Sequence, residues 1–483
     1  MDTQTTIFIG VAVYIVLMLV VGIYASSKTH SSAEFAVAGR KLPLWLCAAT
    51  IAATWFGGGM MMGGSGAAYD DGMLGVIADP FGAAVCLFLV GMFFARLMRR
   101  LRYFTIVEFV ECRFGPTCGV IMSAGALFSS ILWTGGMLVA FGFVFESLTG
   151  TPLVIGILGG ALVVVIYTTV GGMLAVALTD VIQIVIIAVG LLTLLVVVLI
   201  DAGGWSVVSA QLPDNVWRMY PLQNSPEVWL NYVRAWLIFG LADIASQSLT
   251  QRAMAAKDED TAVKAFYVAG VGYIAFGMIP VMLGIIASVT MPGLENSEAV
   301  LPALALEHLH PIAVALFVGA LLAAIMSSCD STLLAGATVI STNILPFFKK
   351  DASDQLQLRV ARASIWLCGA VAVAVALNAR VVFDTALDAN LLVLAALIVP
   401  FILGVWWKKA NRTGALSAMV VGILVWLLAG LVYPDLPGDL IGLGASLLTM
   451  IIVTPLTQKF DPPRDLVDVD GAPVALANRL GTL

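Results

Sequence analysis

The stretch ALLAAIMSSCDS, Ala320–Ser331, places three serines and an aspartate inside an apolar run that extends over residues 312–340. At 1.5 Å per residue, a helix of this length crosses the roughly 30 Å hydrocarbon core of a bilayer. On a helix, Ala324, Ser327 and Ser328 stand at i, i+3 and i+4, so one carbonyl and two hydroxyl groups share a face. Ionisable groups are costly at membrane depth and by default face a cavity or an ion path. Oxygen ligands without histidine or cysteine suit a hard cation, and we expect sodium.

Composition places this stretch in a membrane protein. The 483 residues are 60% hydrophobic and 11% charged, with a mean hydropathy of +1.01. These values exclude a water-soluble globule and indicate an all-α protein with many membrane spans. Thirteen apolar spans are counted, at residues 5–26, 43–67, 73–95, 117–147, 152–170, 178–200, 229–250, 263–289, 311–345, 360–378, 383–406, 413–433 and 438–457.

The distribution of basic residues predicts the orientation. If the N-terminus faces outside, only Arg218, Arg234 and Arg380 fall on the outer side, which leaves 21 of the 24 lysines and arginines inside. An excess of positive charge marks the cytoplasmic side. We therefore expect one transmembrane domain over residues 1–460 in a plasma membrane, that of a bacterial inner membrane. Residues 461–483, with Pro462, Pro463 and scattered acids, are expected to form a short, disordered cytoplasmic tail.

Two spans carry features that interrupt a helix. ATWFGGGMMMGGSG, Ala53–Gly66, has five glycines between Gly57 and Gly64, and each costs a helix about 1 kcal/mol relative to alanine. GLADIASQSLTQR, Gly240–Arg252, places Asp243 and two glutamines in the seventh span. The two spans are five apart, so they run in opposite directions. This arrangement predicts an inverted five-helix repeat in which the first helix of each half is broken. The first part spans residues 43–250, with its break near 53–66. The second part spans residues 229–406, with its break near 240–250.

The chain resembles the sodium:solute symporter family, which includes the sodium/glucose, sodium/proline and choline transporters. The resemblance is carried by AGRKL (38–42), ATWFGGG (53–59), YTTVGGMLAVALTDVIQ (167–183), Gln251 with Arg252, and AAIMSSCDSTLLAG (323–336). It extends over nearly the whole chain. It implies the leucine-transporter-like fold, with a ten-helix inverted-repeat core, one helix before it and two after.

The resemblance also implies the ligands of a main sodium site: the carbonyls of Ala53, Phe56 and Ala324 and the hydroxyls of Ser327 and Ser328. A helix broken after Phe56 independently leaves carbonyls that need a cation or water. The alternative is that the two serines bond back to their own helix or allow close packing.

A second cation site is predicted beside the first. Some family members place a second sodium at the aspartate that corresponds to Asp180, and Asp330 adds a carboxylate here. Two buried acids repel each other unless a cation or a proton lies between them. We assign this site to Asp180, Ser327, Asp330 and Ser331. The alternative for Asp180 is that it caps its helix.

The expected substrate is a small organic cation or zwitterion. Tryptophans beside buried carboxylates attract positive charge, and ATWFGGG and MSSCDS most resemble the choline transporters. An aromatic residue expected near Ala83 and a tryptophan expected at Ser246 are missing, so half of the cation cage is absent. The candidate substrate-binding residues are Trp55, Met60, Asp79, Trp133, Asp243, Ser246 and Gln247. Core packing is the alternative for Met60 and Trp133, and helix capping before Pro80 is the alternative for Asp79.

A secondary symporter is the favoured class of protein. We expect sodium to be the coupling ion and transport to proceed by alternating access. The expected partners are a small-molecule substrate and the lipid bilayer, and no nucleic acid. The protein is expected to function as a monomer. Symport of an amino acid, monocarboxylate or sugar, or a transporter-like sensor, remains open. A channel would need filter loops or rings of like charge, and neither is evident in the sequence. No nucleotide loop, metal cluster or nucleophile motif indicates an enzyme.

Overall fold

The computed structural model describes residues 3–378, 382–433, 436–474 and 480–481, and the predicted outer position of Arg380 lies outside these residues. The described residues form these α-helices: α1 (Thr3–Ser26), α2 (Ser32–Val37), α3 (Leu44–Trp55), α4 (Ser65–Asp71), α5 (Ala83–Phe93), α6 (Ala95–Leu101), α7 (Ile106–Phe114), α8 (Pro116–Thr149), α9 (Leu153–Asp201), α10 (Trp205–Ser209), α11 (Pro226–Gly240), α12 (Gln247–Ala255), α13 (Glu259–Thr290), α14 (Val300–His308), α15 (Pro311–Val339), α16 (Leu345–Phe348), α17 (Asp354–Asn378), α18 (Val382–Leu392), α19 (Ile398–Trp406), α20 (Arg412–Val432) and α21 (Gly438–Thr457). Short π-helical segments lie at Gly59–Gly64, Ile77–Gly82, Ile340–Ile344 and Val393–Leu397.

The number of membrane crossings agrees with the sequence. Among the described residues, ten helical segments are long and apolar enough to span a bilayer, or twelve if two bent pairs are each one span. The 49-residue α9 is interrupted at Gly172, whose φ of 59° and ψ of −156° are not helical. Tyr167 bonds Asp330, and Asp180 acts electrostatically on the same carboxylate. Thirteen residues of straight helix would hold Tyr167 and Asp180 about 20 Å apart along the axis, so α9 folds back at Gly172 and crosses twice.

The helix with the serine pair lies at the centre of the bundle. Every residue of α15 from Phe317 to Val339 is buried, and the helix packs against α1, α8, α9 and α17. Its position explains why the sequence is apolar on all sides, because no face meets water or lipid. The polar groups of Ser327–Ser331 are therefore held inside protein.

The described part of the C-terminal tail is packed against helix ends, so the expected disorder is wrong there. The Val469 amide donates to Leu101 O at 3.1 Å, and the Arg102 guanidinium pairs with Asp468 and Asp470. Gly481 N donates to Met92 O at 2.7 Å. The acids that indicate disorder in the sequence are thus neutralised by a basic helix end.

Candidate sodium and substrate site

The first break follows Trp55. Helix α3 and the segment that begins at Gly59 are bent by 57° relative to each other. In a continuous helix the Gly57 amide would donate to Ala53 O, but it donates to Trp55 O at 2.8 Å. The break therefore releases the Ala53 carbonyl from its partner in the helix.

Two serines of α15 meet the carbonyls at this break. Ser327 Oγ lies 2.9 Å from Ala53 O and 2.8 Å from Ala324 O, and Ser328 Oγ donates to Thr54 O at 2.7 Å. A hydroxyl has one proton, so Ser327 can donate to only one of its two neighbours. Three oxygens from two helices converge at Ser327, which is the donor set that a hard cation takes.

Glycine is required where these helices meet. A Cβ at Gly57 would lie 2.9 Å from Ser328 Cβ and overlap its hydroxyl, and a Cβ at Gly58 would lie 2.9 Å from Ala140 Cβ. Real side-chain carbons do not approach so closely. Phe56, the fifth predicted ligand residue, is buried at the end of α3, with a φ of −76° and a ψ of 64° that are not helical.

The second break separates α11 from α12 through the short turn Ala242–Ala245. Asp243 lies in this turn, and its Oδ2 accepts a hydrogen bond of 3.1 Å from Asn390 Nδ2. The same amide donates to Ile238 O at 3.3 Å, near the end of α11. Asn390 thus joins the carboxylate to the broken helix. Sequence reasoning missed Asn390, although an amide inside the apolar span 383–406 was a signal.

A cavity between the two breaks collects five of the seven predicted substrate residues, because Trp55, Trp133, Asp243, Ser246 and Gln247 all line it. The open volume is about 30 Å³, so a substrate enters only when the lining side chains separate. The Gln247 amide is used elsewhere, because it accepts from Ile106 N at 2.8 Å and donates to Phe104 O at 3.1 Å.

The other two predicted substrate residues lie behind the cavity wall. Tyr273 OH donates to Asp79 Oδ1 at 2.7 Å and lies 3.1 Å from Trp55 O, with its ring edge-on to that of Trp55. Asp79 and Asp243 nevertheless interact electrostatically. Met60 is fully buried against Gly64 and Gly277, which is the packing role given as its alternative.

A second polar cluster lies beside Ser327. Asp330 Oδ2 accepts from Tyr167 OH at 2.6 Å, and its Oδ1 accepts from Ser331 Oγ at 3.1 Å. Asp180 Oδ2 accepts from the Thr50 hydroxyl, whereas Asp180 Oδ1 is buried without a hydrogen-bond partner. Asp180 lies eight residues past Gly172 and bonds a side chain, so its carboxylate does not cap a helix.

Arg252 is the cation that the sequence analysis did not place. It is fully buried, donates from Nε to Thr50 O at 3.2 Å and from Nη2 to the Ser331 hydroxyl, and interacts electrostatically with both Asp180 and Asp330. Two carboxyl groups face one guanidinium, so the second acid needs a proton or a further cation to balance its charge. The signal in the sequence was an arginine within the broken span Gly240–Arg252.

Known proteins resemble this chain over most of its length. The sodium:solute symporter family model matches residues 35–422. The high-affinity choline transporter 1 of Drosophila melanogaster is 30% identical over 87% of this chain and 70% of its own length. The osmoregulated proline transporter of Bacillus subtilis is 28% identical over 94% of this chain and 95% of its own.

Solved structures share the fold. A Na⁺-coupled sialic acid symporter, solved in a substrate-bound outward-open state, superposes with a TM-score of 0.80 at 22% identity over 94% of this chain and 98% of its own. A nucleobase-cation-symport-1 family transporter has a TM-score of 0.60 at 16% identity, over 90% and 96% of the two chains. These structures confirm the predicted leucine-transporter-like architecture. The chain belongs to the sodium:solute symporter family.

Proposed function

We propose that the protein is a sodium-coupled secondary active symporter that imports a small organic cation or zwitterion, such as choline, by alternating access. The observation that carries this proposal is the convergence of Ala53 O, Ala324 O and Ser327 Oγ at the first helix break. Sodium bound there, with Phe56 O and Ser328 Oγ as further ligands, joins the two helices that line the cavity. The protein works as a monomer in a bacterial inner membrane, with its N-terminus outside and its C-terminus in the cytoplasm.

Buried charge favours a positively charged group in the substrate. Asp79 and Asp243 are both buried and interact electrostatically. The buried arginines of the described residues are Arg113, which bonds carbonyls at the inner end of α19, and Arg252, which lies with the other acids. A carboxylate at membrane depth is stabilised by a cation, and the Trp55 and Trp133 rings add cation–π attraction.

A zwitterion is the second candidate substrate, because the cavity has polar groups where an aromatic cage would have walls. Ser246 lines the cavity at the position expected to hold a tryptophan, and its hydroxyl lies 2.9 Å from Ser248 Oγ. Ala83 is buried with only a methyl group. Such a site has hydroxyls available for a carboxylate as well as Asp243 for an ammonium group. The similarity to a proline transporter agrees with this candidate.

The cluster around Asp180 supports a second coupled cation. Its buried, unpartnered Oδ1, and the presence of two carboxyl groups beside a single arginine, favour a monovalent cation held by Asp180, Ser327, Asp330 and Ser331. Uptake by the wild type is then expected to rise with sodium with a Hill coefficient above one, and Asp180→Ala to lower it to one. A coefficient near one in both proteins would contradict a second site.

Release to the inside requires the inner end of the cavity to open. Gln247 closes it by bonding the Phe104 carbonyl and the Ile106 amide, so these two hydrogen bonds must separate. The sodium gradient supplies the driving force. One charge crossing 100 mV gives about 2.3 kcal/mol and a tenfold gradient about 1.4 kcal/mol, which together allow several hundredfold accumulation of a neutral solute.

Uptake into proteoliposomes tests the proposal. Labelled choline, betaine, proline, a sugar and a monocarboxylate are offered with an inward sodium gradient, with equal sodium on both sides, and with potassium in place of sodium. We expect accumulation of choline or a betaine only with the gradient. Downhill flux without sodium dependence would favour a channel, and absence of flux for every solute together with substrate binding would favour a sensor.

A further inference from the structure

A groove of about 300 Å³ opens on the side of the bundle between α3, the second half of α9 and the middle of α13. Its floor consists of small residues, among them Ala48, Ala52 and Gly272. A Cβ built at Gly272 meets no atom within 4 Å, so this part of the floor is open. The groove has about twice the volume of an apolar cavity that stays dry and holds benzene. It is therefore large enough for several methylene groups of a hydrocarbon chain.

The rim of the groove decides what can enter it. Trp45, Val268 and Phe276 stand at its edges, each more than a third exposed. A packed helix, about 10 Å across, would have to displace these large side chains to reach the alanine floor. A single acyl chain fits between them. Because α3, α9 and α13 span the bilayer, hydrocarbon is also the medium that faces this groove.

Net positive charge lies near the start of α3. Lys41 is exposed three residues before α3, and it lines a second pocket with Lys28 and one acid, Glu34; Leu46 of α3 and Leu174 of α9 form apolar walls of this pocket. Trp45, the second residue of α3, is 60% exposed. Tryptophan is enriched at the interface between membrane and water, and Trp45 lies near the end of its helix, where such an interface is expected. Anionic headgroups are attracted to lysine and arginine side chains at the membrane surface.

We propose that this groove binds one acyl chain of an anionic phospholipid from the leaflet next to Lys41. The bound chain rests on the rings of Phe56 and Tyr273, which line the inner wall of the groove. Phe56 ends α3 at the helix break, and the Tyr273 hydroxyl holds Asp79. An occupied groove therefore supports the break from its lipid side.

Photolabelling in nanodiscs tests this site without any transport assay. The wild-type protein is placed in phosphatidylglycerol that carries a diazirine in one acyl chain, irradiated, and mapped by mass spectrometry. We expect labels to concentrate on the groove residues of α3 and α13. Gly272→Leu, which fills the open floor, is expected to reduce this labelling at least fivefold. Gly159→Leu is the matched control, since Gly159 is an exposed helical glycine with no neighbour within 4 Å.

Each other outcome has a defined meaning. Thermal unfolding of both variants in detergent checks that they are folded, and added phosphatidylglycerol should raise the melting temperature of the wild type more than that of Gly272→Leu. Labels spread evenly over the exposed helices, or unchanged in Gly272→Leu, would overturn the site. Equal labelling by phosphatidylcholine with the same chain would overturn the headgroup preference, and cross-linked dimers through α3 would show that a second copy covers the groove.

Discussion

Arg252 is the residue on which the buried charges most depend. Its guanidinium is fully buried and lies with two carboxylates, Asp180 and Asp330. Removing one partner from a buried ion pair leaves an unpaired charge and costs about 3–5 kcal/mol, whereas removing both can be nearly neutral. We therefore predict that Arg252→Met lowers the melting temperature in detergent by several degrees, and that Arg252→Met with Asp180→Asn recovers much of this loss. Additive losses in the double variant would contradict the charge coupling.

Asn390 is predicted to position Asp243, the carboxylate that we propose binds the substrate. Its amide holds Asp243 Oδ2 and the Ile238 carbonyl, and a hydrogen bond to a charged group contributes about 1.5–3 kcal/mol. Asn390→Leu should raise the half-saturating substrate concentration by about tenfold or more, with equilibrium sodium binding unchanged. Asn378→Leu is the control, because Asn378 is exposed and bonds only Ala374 O of its own helix. Loss of sodium binding in Asn390→Leu would indicate a general structural role instead.

At the scale of the element, the interruption of α3 depends on a glycine that lets α15 approach. Gly57→Ala puts a Cβ into the Ser328 hydroxyl, so the Ser328 bond to Thr54 O must break. We predict that this variant loses sodium-dependent uptake while it remains folded by size-exclusion chromatography. Gly319→Ala, which changes a glycine of α15 with no atom within 4 Å of the added carbon, should transport normally. Normal uptake by Gly57→Ala would show that close contact at the break is not needed.

Helix α7 introduces a pH dependence through Glu111. Burial raises the pKa of Glu111 to about 7, a hydrogen bond from Asn343 lowers it, and the neighbouring Glu108 raises it. The unfolded value is about 4.5, so the folded protein holds this proton more tightly. The stability from this proton is fully present below about pH 4.5 and is lost as the pH rises through 7. Glu111→Gln should therefore lose less stability than the wild type between pH 5 and 8 in thermal unfolding. Parallel curves for the two proteins would contradict the raised pKa.

The sequence predicted both interrupted helices because glycine clusters and polar residues are local signals. It also predicted the serine face of α15, since helical spacing determines which side chains share a face. The two halves of α9, which reverses at Gly172, were counted in the sequence as two separate membrane spans. The predicted number of spans therefore agrees with the structure. The pairing of Arg252 with two acids on other helices was not predicted, because it depends on packing between segments far apart in the chain.

At the scale of the whole molecule, the C-terminal tail packs against helix ends in a way that its sequence does not indicate. Residues 461–474 looked disordered because proline and scattered acids are typical of disordered ends. The structure instead brings Asp468 and Asp470 to Arg102 and pairs Val469 with Leu101. The tail is too short and polar to form a hydrophobic core of its own. It is held instead by Arg102 and Leu101 at the end of α6.

We propose that one cation joins the broken helix α3 to the central helix α15, and this is the central claim. Equilibrium binding of radioactive sodium to purified protein measures this directly and requires no substrate. Saturable binding is predicted for the wild type and for Ser341→Ala, whose hydroxyl bonds back only to Thr338 O of the same helical run. The double variant Ser327→Ala, Ser328→Ala is predicted to lose that binding while it remains folded. Sodium binding by the double variant with wild-type affinity would contradict the central claim.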